Sequence, residues 1–120
     1  MSDGPILIVD DDAFVRTLLR EMLADQGHPL LEAENGEQAL SLDGPAPRMV
    51  LLDLLMPQMS GMEALALIRD RWPTTPVLVI SSMDSDRLVE EALQAGAAGY
   101  ITKPFHPVEI ASAVERALAA

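Results

Sequence analysis

Three stretches of this chain, Ile6–Val9, Met49–Leu52 and Val77–Ile80, are runs of four aliphatic residues with no polar interruption. A run this short cannot form a core helix, and a strand with one wet face would alternate. Uniform apolarity therefore predicts strands buried on both faces. Weaker runs at 29–33 and 99–102 complete the set. Between consecutive runs lie segments with apolar residues at helical spacing, such as Phe14, Leu18 and Met22 within 13–25, which Gly27 ends. Asn35-Gly36-Glu37-Gln38 and Ser60-Gly61-Met62-Glu63 read as capping boxes opening a second and a third helix, the third running to about Arg71 before Pro73 and Pro76. Asp84 or Ser85 caps a fourth helix ending near Gly96, and Pro107 takes the first position of a fifth.

Buried strands in strict alternation with helices require parallel pairing, right-handed crossovers and helices on both faces of the sheet. The chain is thus predicted to be one α/β domain over residues 1–120. Its form is a doubly wound (βα)5 three-layer sandwich of the flavodoxin-like kind, with a five-stranded parallel sheet ordered 2-1-3-4-5. Its site is expected at the carboxyl ends of the strands. A length of 120 residues, 49% apolar and 22% charged, suits a single packed core. No signal peptide or membrane-spanning run is present, and the absence of cysteine excludes a disulfide framework, a thiol nucleophile and a Cys-based zinc site. A cytoplasmic location is expected. With 8 Lys and Arg against 19 Asp and Glu, the net charge of -11 repels phosphate backbones, so this chain alone is expected to bind neither nucleic acid nor membrane.

What ends each strand carries the chemistry. The first run ends at Asp10-Asp11-Asp12, the third at Asp53, the fourth at Ser81-Ser82, and the fifth at Thr102-Lys103-Pro104. Any one of these residues could be a solvated loop residue, and Asp12 reads as the cap of the first helix. A parallel sheet, however, brings all these ends to one edge, where the carboxylates repel one another unless a cation compensates. Oxygen ligands without His or Cys favour Mg²⁺ or a similar hard cation. A hard cation beside a carboxylate, a hydroxyl and an ammonium is suited to phosphoryl transfer through an aspartyl phosphate. This reasoning does not choose the nucleophile.

The segments Ile6-Leu7-Ile8-Val9-Asp10-Asp11, Leu51-Leu52-Asp53-Leu54-Leu55-Met56-Pro57 with Gly61, Val79-Ile80-Ser81-Ser82, and Gly96-Ala97-Ala98-Gly99-Tyr100-Ile101-Thr102-Lys103-Pro104-Phe105 together resemble the response-regulator receiver family of two-component signalling, across essentially the whole chain. The resemblance implies that Asp53 accepts the phosphoryl group. It implies that Asp10, Asp11, Asp53 and the backbone carbonyl of Leu55 hold Mg²⁺, Asp11 more directly than Asp10. Ser81 would then hydrogen-bond the phosphoryl group, Lys103 would pair with it, and the Lys103–Pro104 bond would be cis. Ser81 and Tyr100 would form a switch, with Tyr100 turning inward to remodel the face made by the fourth helix, fifth strand and fifth helix. The expected donor is a histidine kinase or histidine phosphotransfer protein; the downstream partner is unassigned. Such a protein catalyses only its own phosphoryl transfer and slow self-dephosphorylation and is not a turnover enzyme.

Some positions sharpen this expectation. Leu55, two residues after Asp53, and Met83, two after Ser81, are apolar and cannot orient a hydrolytic water, which predicts a long-lived phosphoryl group. Relatives linked to winged-helix DNA-binding domains carry paired acids just before the tyrosine; here stand Ala98 and Gly99, which leaves a monomer or a weak phosphorylation-dependent dimer of another kind. Phe14, Val15 and Leu18 are candidates for docking the phosphodonor; a core role is favoured for Leu18 and Leu19, while the two roles are balanced for Phe14 and Val15. His28 and His106 are assigned no catalytic or metal role, and Trp72 and most of the seven methionines are read as packing. An aspartyl-phosphate phosphatase of the haloacid-dehalogenase type would need a second acid at the position of Leu55. A flavodoxin-like cofactor module would need a phosphate-binding loop where three acids stand. The chain ends at Ala120, where the fifth helix should finish, a boundary that fits either a stand-alone receiver or a piece of a larger regulator.

Overall fold

The computed structural model describes residues 4–56 and 59–119; Met1–Asp3, Ala120 and Pro57 of the acceptor-loop motif lie outside the described residues. The strands are β1 (Ile6–Val9), β2 (Leu30–Ala33), β3 (Met49–Leu52), β4 (Val77–Ser81) and β5 (Gly99–Thr102). They form one parallel sheet in the order β2-β1-β3-β4-β5. Every residue of β1, β3 and β4 is buried, which is why those runs carry no polar alternation. The edge strands β2 and β5 are only partly buried, which explains their weaker apolar signal.

The helices are α1 (Ala13–Ala24), α2 (Gly36–Leu40), α3 (Gly61–Arg71), α4 (Asp86–Gln94) and α5 (Pro107–Ala119). Alternate strand residues point to opposite faces, so two cores form. Leu7, Val9, Val50, Leu52, Val77 and Val79 pack against α2, α3 and α4. Ile6, Ile8, Met49, Leu51, Leu78 and Ile80 pack against α1 and α5. Each fully buried aliphatic side chain contributes about 2 kcal/mol by leaving water, and the sheet supplies most of them.

Helix ends follow local chemistry. Asp12, Asn35, Ser60 and Ser85 are the N-caps of α1 to α4, so Ser85 and not Asp84 caps α4. The reciprocal half of the predicted box at Asn35 is shifted: Gln38 Oε1 accepts the N–H of Glu34 at 2.6 Å. α1 and α4 stop before Gly27 and Gly96, whose φ angles of 81° and 107° favour glycine. Leu19 is buried as expected, whereas Leu18 is only half-buried, outside the core that Leu19 and Leu23 join. Trp72 packs in the core beyond α3, with the Arg71 guanidinium 5.1 Å from its ring centre. Among the described residues no helix is long and apolar enough to cross a membrane.

Candidate functional site at the carboxyl edge of the sheet

Three neighbouring strands, β1, β3 and β4, and the edge strand β5 each deliver one polar group to the same edge. Asp10 and Asp53 immediately follow buried strands and are themselves only 2% and 5% exposed. Asp11 follows Asp10 on the surface, and oxygens of Asp10, Asp11 and Asp53 lie within 4.8 Å of one another. Ser81 is fully buried at the end of β4. Lys103 directly follows β5 and is joined to Pro104 by a cis peptide bond, as the family resemblance implied.

One ammonium is shared between two acids. Lys103 Nζ donates to Asp10 Oδ2 at 3.0 Å and to Asp53 Oδ2 at 3.2 Å. Burial alone would depress the Lys103 pKa, but Asp10 and Asp53 outweigh it and hold the ammonium above its usual value. Asp10 moves in the direction set by burial, upward from the carboxylate range, because its bonds from the Asp12 N–H and Lys103 compensate only partly and Asp53 repels it. The two directions agree physically: Lys103 has two partners, whereas Asp10 has half an ammonium.

Backbone groups fix the carboxylate orientations. The Leu55 N–H donates to Asp53 Oδ1 at 3.1 Å and the Asp12 N–H to Asp10 Oδ1 at 2.8 Å. Ser81 Oγ accepts the Met83 N–H, and the Tyr100 hydroxyl donates to the Met83 carbonyl, so Ser81 and Tyr100 meet on the loop after β4. Burial raises the pKa of the Tyr100 hydroxyl above its ordinary value. Leu55 is exposed and Met83 half-buried beside this cleft, and Ser82 is exposed. Phe14 is 69% exposed on the adjacent rim, while Val15 packs partly against the core under α1 and α5.

The donor set suits a hard divalent cation. All three side chains offer oxygen, and Lys103 supplies one positive charge against three carboxylates and pairs with neither oxygen of Asp11. Asp10, Asp11 and Asp53 are therefore able to hold such an ion, and no histidine belongs to the cluster.

Arg16 is a residue that sequence reasoning missed. Its Nη1 donates to the Asp10 carbonyl at 2.6 Å, while Nε pairs with Glu32 at 3.1 Å. The guanidinium thereby ties the end of β1 to α1 and β2 and places a second positive charge behind the acid pair. In the sequence Arg16 looks like one solvated charge of an amphipathic helix. Its partner Glu32, a lone acid inside a strand run, was the available signal.

A parallel sheet of this order, with its acids and lysine converging at the carboxyl edge, belongs to the doubly wound α/β class that binds at this edge. Residues 6–115 match the response regulator receiver domain, and the chain belongs to that family, acting in two-component signalling. It is 39% identical over 114 residues to the chemotaxis protein CheY of Listeria monocytogenes, covering 93% of this chain and 96% of that protein. It superposes on the BeF3-activated DrrB receiver domain of Thermotoga maritima with a TM-score of 0.90 at 32% identity, covering 98% of each chain. The receiver domain of NtrX from Brucella abortus gives a TM-score of 0.90 at 33% identity, covering 96% of this chain and 98% of that one.

Proposed function

We propose that residues 1–120 form one receiver unit that accepts a phosphoryl group on Asp53 from a phosphohistidine donor and thereby changes its affinity for a partner. The observation that carries this reading is the shared Lys103 ammonium: it leaves Asp53 buried at the cleft floor with both oxygens oriented, beside two further carboxylates. An Asp53 oxygen would form the new O–P bond as the P–N bond to the donor imidazole breaks, the electron pair and a proton leaving with the imidazole. Lys103 would neutralise a phosphoryl oxygen, and the Ser81 hydroxyl would donate to another. Mg²⁺, held by Asp10, Asp11, Asp53 and the Leu55 carbonyl, would add charge neutralisation on the phosphoryl oxygens.

The switch would run through the loop after β4. Ser81 and Tyr100 both bond to Met83, so a shift of Ser81 toward a phosphoryl group would alter the seat of Tyr100 and the α4-β5-α5 face. Phe14, with Val15 and Leu18 beside it, would contact the donor. The experiment is incubation with acetyl phosphate and Mg²⁺ followed by intact mass. One added phosphoryl group is expected in the wild type and none in Asp53→Ala; unchanged labelling of Asp53→Ala would refute the assignment.

The lifetime of that group is a second expectation. The side chains of Leu55 and Met83 offer no hydrogen bond to a water approaching Asp53. The wild-type phosphoryl group is expected to outlast that of a Leu55→Asn/Met83→Glu variant by about tenfold, since positioning an attacking water is a modest share of general acid–base catalysis. Loss of phosphate followed by mass against time measures it, and a faster wild type would contradict it.

A further inference from the structure

Asp11 is the least anchored member of the acid cluster. Asp10 and Asp53 each receive the Lys103 ammonium and one backbone N–H. The exposed Asp11 carboxylate has no hydrogen bond or ion pair among the described residues. Its oxygen nevertheless lies within 4.8 Å of those of Asp10 and Asp53. Its place is therefore set by the two peptide planes that flank its α-carbon. The following plane is tied by the Asp12 N–H to Asp10 Oδ1 at 2.8 Å. The preceding plane is tied at the Asp10 carbonyl, to which Arg16 Nη1 donates at 2.6 Å.

Arg16 is braced for that contact. Its side chain is only 12% exposed, its Nε pairs with Glu32 Oε1 at 3.1 Å, and its Nη2 lies 4.0 Å from Glu34. Glu32 sits on β2 in register with Ile8 of β1, so the guanidinium is held against the sheet as it reaches the carbonyl. A planar fork fixes both contacts at once, which the single ammonium of a lysine on its flexible stem cannot do. The charge itself is not what the site needs. A cation beside a metal site repels the ion, and the neighbouring glutamates offset most of this one. What Arg16 can contribute is direction.

We propose that Arg16 is a positioning residue for Asp11: by holding the Asp10 carbonyl it aims the Asp11 carboxylate and so raises the affinity of the acid cluster for Mg²⁺. The inference rests on the proposed assignment of Asp10, Asp11 and Asp53 as the Mg²⁺ ligands.

The test is a titration of the unphosphorylated protein with Mg²⁺, following the amide resonances of Asp11 and Lys103. The Kd of Arg16→Gln is expected to rise about tenfold, the usual effect of removing a group that orients a metal ligand. Arg20→Gln is the charge control, since Arg20 also pairs with Glu32, at 3.4 Å, without bonding to the Asp10 carbonyl. Its Kd should stay within about twofold of the wild type. Arg16→Lys keeps the charge and loses the fork, and it should bind severalfold more weakly. This variant decides the matter if Arg16→Gln does not fold. An Arg16 that served stability alone would lower the urea midpoint in chelator and leave the Kd of the folded protein unchanged. An unchanged Kd in either Arg16 variant, tighter binding by Arg16→Gln, or an equal loss in Arg20→Gln would each overturn the proposal. A wild type without saturable shifts would refute the metal assignment and the inference with it, which keeps the two failures distinguishable.

Discussion

Replacing Lys103 with methionine is expected to destabilise the metal-free protein by about 3 kcal/mol, because it strands buried carboxylates without their cation. Asp10 and Asp53 are almost wholly buried and share this one ammonium. The side-chain volume is roughly preserved, so the loss reports charge and not a cavity. Urea unfolding of the two proteins in a chelating buffer measures it.

The pH dependence of that difference follows from the directions of the shifts. The Lys103 pKa is raised above 10.5 in the fold. Its contribution is therefore fully present below the unfolded value and is lost as pH rises through the folded one. Asp10 is also raised, from 3.8, chiefly by burial. The folded state binds a proton there more tightly than the unfolded chain, so ionised Asp10 costs stability as pH climbs through that window. The gap between wild type and Lys103→Met should accordingly begin to close at a pH above the ordinary carboxylate range as the solution is acidified. Saturating Mg²⁺ should stabilise the variant more than the wild type, since the ion supplies the missing charge. A variant as stable as the wild type without metal would show that the acids are not electrostatically frustrated.

The second large effect is expected at a residue with no chemistry. A β-carbon on Gly61 would sit 2.1 Å from Leu54 Cα and 2.6 Å from the Leu54 carbonyl oxygen, an oxygen that also accepts the Gly61 N–H at 3.1 Å. The obstacle is backbone, and it is the backbone of the loop that follows Asp53. Gly61→Ala must push apart the start of α3 and this loop, at a cost of about 3 kcal/mol and with slower labelling by acetyl phosphate. Gly36→Ala is the control: its β-carbon would meet Met59 Sδ at 2.7 Å, the flexible end of a side chain that can move. That variant is expected to lose less than about 1 kcal/mol. Equal losses at the two glycines would show that the approach to Leu54 is not tight.

These two residues illustrate what a sequence carries. Lys103 was legible because it closes a strand, and strands buried on both faces announce themselves by unbroken aliphatic runs. Once the strands are placed, Asp10, Asp53, Ser81 and Lys103 fall on one edge by topology alone. The cap residues were legible for a similar reason, since they act within three or four positions along the chain. Gly61 stood in the acceptor-loop motif, but its approach to Leu54 is a contact between separate segments that no local pattern measures. Arg16 was missed because a charge on a helix is usually solvated, and only the fold brings it to the Asp10 carbonyl. Leu18 fell outside the core because helical spacing gives a face without its angular limit. Ser81 extends β4 by one residue beyond the aliphatic run, since pairing with Thr102 of β5 outlasts the apolar signal.

The assignment of Asp53 as acceptor rests on one edge that holds three acids, and chemistry can tell them apart. Borohydride reduces an aspartyl phosphate to homoserine at the residue that carried it. After treatment with acetyl phosphate, reduction and peptide sequencing, homoserine is expected at position 53 when Mg²⁺ is present and at no position when it is chelated. Homoserine at position 10 or 11, or none with Mg²⁺ present, would contradict the account.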